Sequence, residues 1–208
     1  MRHDRIGPQT APQPVAAPRR GLWASVVALL RPERAAPGAI AVPRQTPSLA
    51  GDRPARPAPA PLFRPFLADP RPVLFGTSDP AFDMSAVQHM QGFGLDVVTC
   101  TTFRSALTRA HGAPMGWSTL LLSIDGFGGP RLVLDGLLHL RRKLPHLPVI
   151  LVSEEVGFHD FTTERLALCD VTIRGPISAP ALELALAEAG ANNLVWQARI
   201  AAAQEQDA

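Results

Sequence analysis

The chain has 208 residues, 46% of them hydrophobic but only 6% aromatic, with 22 prolines, no tyrosine and a formal net charge of +2. So small a charge excludes a strongly basic nucleic-acid reader, and the length suits one or two ordinary domains. Two cysteines and six scattered histidines, with no Cys or His partner at ligand spacing, leave neither a disulfide framework nor a zinc motif.

Residues 1–70 hold 14 of the prolines and ten arginines against four acidic residues, so a basic tail adjoins a body with ten basic and fourteen acidic residues. Closely spaced prolines, as over 53–61, remove backbone donors and favour extended chain, so a disordered tail is expected over 1–70. Its one apolar island, Gly21 to Leu30 between Arg20 and Arg31, predicts a short helix over 21–31. This island is far shorter than the roughly 20 apolar residues that span a bilayer. It reads as a segment that rests on the folded domain, with docking to a partner or an anionic membrane surface as the other reading. Pro8, Pro12, Pro14 and Pro18 argue against a signal peptide, and a cytoplasmic protein is expected.

From residue 71 the pattern becomes regular. Val73 to Phe75 predicts a first strand, followed by the turn Gly76-Thr77-Ser78-Asp79 and a helix from Phe82 to Gln91. Leu95 to Cys100 is rich in β-branched residues and predicts a second strand. Thr102 is placed to cap a helix over Phe103 to Ala110. Thr119 to Leu122 predicts a third strand, leading through Ser123-Ile124-Asp125 and a glycine-rich loop into a helix from Arg131 to Lys143. Val149 to Val152 predicts a fourth strand before Ser153-Glu154-Glu155, then a short fourth helix from Phe161 to Ala167 and a fifth strand over Val171 to Ile173. Ser178 and Pro180 open a fifth helix over Ala181 to Ala189, which Gly190 is expected to stop, and a separate helical extension falls within 191–208. Cys100 and Cys169 lie at or near strand ends and read as buried, reduced thiols.

Strand and helix alternate five times over 71–190, which predicts an α/β fold: a five-stranded parallel, doubly wound sheet, flavodoxin-like or receiver-like. In such sheets the chemistry gathers at the carboxyl ends of the strands. Those ends here carry Thr77, Ser78, Asp79, Ser123, Asp125, Ser153, Arg174 and Gly175: serine and threonine with only a few carboxylates.

These units resemble, by spacing more than identity, the receiver domain of bacterial two-component response regulators. That resemblance implies an acidic pair at Ser78-Asp79, a phosphate-accepting Asp at Ser123, a hydroxyl at Ser153, and a Lys-Pro pair where Gly175-Pro176 stands after Arg174. The acceptor is thus a serine, the acidic pair keeps only Asp79, and the lysine is a glycine. A receiver needs a carboxylate nucleophile and carboxylates to hold Mg²⁺. The resemblance therefore implies a degenerate pseudo-receiver that keeps the signalling fold as an interaction module: non-enzymatic, without a cofactor, acting by protein contact through the fourth and fifth helices and the fifth strand.

Implied partners are a histidine kinase or another regulator, and a second copy of the chain; no specific nucleic acid is implied. Two readings of Asp125 stay open. It is ordinary Asp-Gly turn chemistry, or it replaces the missing acceptor, with Asp79, Asp125 and Glu154 as the metal candidates in an active phosphoacceptor that binds Mg²⁺. Arg174 reads as a solvated cation, or as an anion binder in place of the lysine. A small α/β enzyme is the third class. Gly126-Phe127-Gly128-Gly129 is neither a dinucleotide fingerprint nor a P-loop, and neither Ser123 nor Ser153 sits in a nucleophile elbow. The stretch after Gly190 is too short for a DNA-binding output domain of the kind that often follows receivers.

Overall fold

The computed structural model describes residues 68–81 and 83–206. The calls on the tail, on the island at 21–31 and on Phe82 lie outside the described residues. The body is a parallel sheet of β1 (Val73–Gly76), β2 (Val97–Cys100), β3 (Thr119–Ser123), β4 (Val149–Ser153) and β5 (Val171–Arg174), in the order β2-β1-β3-β4-β5. The helices are α1 (Met84–Gly92), α2 (Phe103–Gly112), α3 (Pro130–Lys143) and α4 (Ala179–Gln206).

The three central strands are buried on both faces, so their sequences are continuous apolar runs. Alternate residues still part cleanly. Leu74, Leu120, Leu122, Val149 and Leu151 pack with α2 and α3, whereas Phe75, Leu121, Ile150 and Val152 pack with α1 and α4. The Thr102 side chain accepts from the Ser105 backbone N–H at 3.0 Å and starts α2 as its residue type predicts. Among the described residues no helix is long and apolar enough to cross a membrane.

Two expected elements differ. The fourth helix is absent; between β4 and β5 the chain makes only a 3₁₀ turn, Thr163–Arg165. Arg141 of α3 donates twice to Leu166 O, at 3.0 and 2.9 Å, and the Asp170 N–H goes to Val149 O. Asp160 meanwhile bridges Thr172 antiparallel at the edge of β5.

The second difference is that α4 continues through Gly190 rather than ending there. A glycine inside a helix costs about 1 kcal/mol relative to alanine. Two asparagines in the following turn offset it: Asn192 donates to Phe161 O and Asp170 O at 3.0 and 2.8 Å, and Asn193 to Pro145 O and Leu147 O at 3.0 and 3.3 Å. Both asparagines are buried and tie the helix to the amino-terminal ends of the strands.

Candidate functional site

The carboxyl ends of β1, β3, β4 and β5 open into one cavity of about 290 Å³, lined among others by Ser78, Asp79, Ser123, Asp125, Glu154 and Gly175. This is where the strand order reverses between β1 and β3, the switch point at which open α/β sheets bind ligands.

Each loop contributes according to its local chemistry. After β1, the Asp79 N–H donates to Thr77 Oγ1 at 3.1 Å, and Asp79 Oδ1 accepts from the Ala81 N–H at 3.1 Å, a polar turn that leads into α1. Asp83 also lines the cavity, buried, and takes the Thr77 hydroxyl at 2.5 Å. Sequence reasoning missed Asp83. The available signal was its place four residues after Asp79, beside the helix start.

β3 ends at Ser123, which is half-buried on the cavity wall, and Asp125 opens a 3₁₀ turn, Asp125–Phe127. Its backbone makes the turn while its side chain lines the cavity. Asp125 Oδ1 accepts from Ser153 Oγ at 2.6 Å, and Oδ2 from the Glu154 backbone N–H at 2.6 Å. Ser153, the last residue of β4, also accepts from the Glu155 N–H at 3.1 Å. The carboxylate thus has one short bond on each oxygen and fastens the β3 loop to the end of β4.

Ser78 and Gly126 bring the first and third loops together. A Cβ at Gly126 would collide with Ser78 Oγ, so a side chain there requires Ser78 to shift. Gly175 and Pro176 line the cavity on the β5 side, with Glu154 Cγ 3.0 Å from where a Cβ on Gly175 would stand. Arg174 is not brought into the cavity lining. It is exposed, its N–H bonds His159 Nδ1 at 3.0 Å, and its guanidinium reaches Gly157 O at 3.5 Å. Arg174 thus stands outside the cavity lining, beside the 157–159 loop.

Divalent metal is the group this type of fold implies. Mg²⁺ needs near-octahedral oxygen ligation and favours converging carboxylates. Among the described residues, no three acidic, His or Cys side chains gather closely enough to hold an ion. Asp125 has both oxygens engaged, and Asp83 is held by Thr77. The donor set as arranged does not fit the metal.

No protein-family model matches this chain, and no curated protein does. Solved structures do match. A response regulator receiver domain protein from Clostridium thermocellum is 18% identical, with a TM-score of 0.48 over 60% of this chain and 98% of that one. A protein assigned to pilus assembly (CpaE) from Burkholderia thailandensis is 20% identical, TM-score 0.46, over 58% and 98%. The chemotaxis protein CheY4 of Vibrio cholerae is 15% identical, TM-score 0.43, over 56% and 95%. The strand order β2-β1-β3-β4-β5, all parallel, belongs to the flavodoxin-like class that includes CheY. The fold is receiver-like. At its strand ends stand serine closing β3, aspartate two residues later and glycine just after β5.

Proposed function

We propose that this chain is a non-enzymatic regulatory protein of two-component type, in which a receiver-like domain with a degraded phosphorylation site acts through protein contacts in the cytoplasm. The observation that carries the reading is the state of Asp125. Phosphoryl transfer to a receiver requires a carboxylate free to attack and a cation that neutralises the phosphoryl oxygens. Here the one carboxylate near the end of β3 bridges Ser153 and the Glu154 N–H instead. The position that spacing assigns to the acceptor is the neutral hydroxyl of Ser123.

A histidine kinase or another regulator suits such a module. With the expected fourth helix missing, the contact surface is reduced to β5, α4 and the β4–β5 loop, where Phe158 is 73% exposed. The competing reading is an active phosphoacceptor, and it rests on Asp79, Asp83, Asp125 and Glu154 sharing one cavity.

Incubation with a small phosphodonor and Mg²⁺, followed by intact-mass measurement, decides between them. No adduct is expected. A stoichiometric, base-labile phosphate on Asp125 or Asp79 would sink the proposal.

A further inference from the structure

Helix α4 has 28 residues, a length of about 42 Å. One side of it, Leu182, Ala185, Leu186 and Ala189, is buried in the core shared with α1 and the sheet. The other side is apolar too. Leu184, Ala187, Ala191, Leu194, Ala198 and Ala201 recur alternately three and four residues apart, with no charged residue among them. Leu184 is 45% exposed, Leu194 67%, and the adjoining Val195 39%. The outer face of a globular helix ordinarily carries charge, whereas an apolar repeat averaging 3.5 residues is the seam of a helix pair. The helix also outruns its own domain. Arg199 anchors it to Thr163 O and Oγ1 at 2.9 and 3.2 Å, and residues 201–206 are all exposed.

We propose that this seam pairs antiparallel with the same seam of a second copy of the chain. The two-fold match of large to small side chains selects that occupant, and charge sets its orientation. In a two-fold register centred between Asn192 and Asn193, Leu184 faces Ala201 of the second copy, Ala187 faces Ala198, and Ala191 faces Leu194. Each leucine meets an alanine, so large side chains fill the spaces beside small ones and the helices approach closely. Glu183 and Glu188 flank the seam. A parallel pair sets Glu183 of one copy against Glu188 of the other, a like-charge contact. The antiparallel pair sets Glu188 beside Val195 and Glu183 beside Gln204, and runs the helix dipoles in opposition. It also lays each overhanging end on the first turns of the other α4. The proposal is independent of whether the strand-end cavity takes a phosphate.

Sedimentation equilibrium of the full chain from micromolar to millimolar concentration tests it. The expected result is a reversible monomer–dimer equilibrium, and a Leu194→Glu variant of unchanged circular dichroism that stays monomeric. Orientation is read from a spin label on Ala201→Cys, since Cys100 and Cys169 are buried. The antiparallel pair places the labels about 25–30 Å apart, and a parallel pair about 10 Å. A wild-type chain monomeric at millimolar concentration, a Leu194→Glu variant that still dimerises, or the shorter label distance would each overturn it.

Discussion

Arg141 and Asp170 face each other inside the protein, joined by two side-by-side N–H···O bonds of 2.8 and 2.9 Å, with both side chains at most 1% exposed. Arg141 also donates to Leu147 O at 3.1 Å and lies 5.1 Å from the centre of the Trp196 ring, while Asp170 Oδ2 accepts the Val149 N–H at 2.7 Å. Burial outweighs the attraction of Arg141 and holds the Asp170 carboxyl above the usual carboxylate range.

Removing one partner of such a pair leaves an uncompensated charge in the interior. Asp170→Ala is therefore expected to destabilise the fold by about 3–5 kcal/mol. Urea unfolding measures this, and a loss below about 1 kcal/mol would show that Arg141 finds solvent when its partner is gone.

The contact between Ser78 and Gly126 is steric and can be tested by relief. Gly126→Ala drives a Cβ into Ser78 Oγ and is expected to cost about 1–3 kcal/mol. The double variant Gly126→Ala with Ser78→Gly should recover most of that loss. A thermal-melt double-mutant cycle reads the coupling, and simple additivity would contradict the contact.

Cys169 makes stability depend on alkaline pH. Burial pushes its thiol up to about 11 from an ordinary 9.0, with the Thr172 hydroxyl opposing that shift. Below the ordinary value both states keep the proton and the contribution is intact. Above it the unfolded chain ionises and the folded chain does not, so stability falls as pH rises, until the folded thiol titrates as well. The expected slope approaches about 1.4 kcal/mol per pH unit between the two values. With no tyrosine and Lys143 as the one lysine, few other groups titrate in that range. Chemical denaturation from pH 8 to 11 checks it, and Cys169→Ala should flatten the slope.

The central strands were legible in the sequence because burial on both faces demands an uninterrupted apolar run, as in Thr119-Leu-Leu-Leu122 and Val149-Ile-Leu-Val152. The starts of α2 and α3 were legible through Thr102 and Pro130, whose capping chemistry is local. Asp83 was not, because its role depends on the loop folding back so that Thr77 can reach it. Nor could spacing say that Asp125 would spend its side chain on Ser153, 28 residues away.

Alternation of apolar runs and helical segments determined by itself the class of sheet and its parallel order, since only a covered sheet can bury both faces of those strands. Residue types placed hydroxyls and a few carboxylates at the strand ends, and the fold gathers Asp79, Asp83, Asp125 and Glu154 on one cavity. Only tertiary structure decided that the 161–167 segment would not become a helix, that α4 would pass through Gly190, and that Asp125 would act as a clamp. In each case a distant group, Arg141 on Leu166, Asn192 on Asp170 or Ser153 on Asp125, takes hydrogen-bonding capacity that local preference alone would have assigned otherwise.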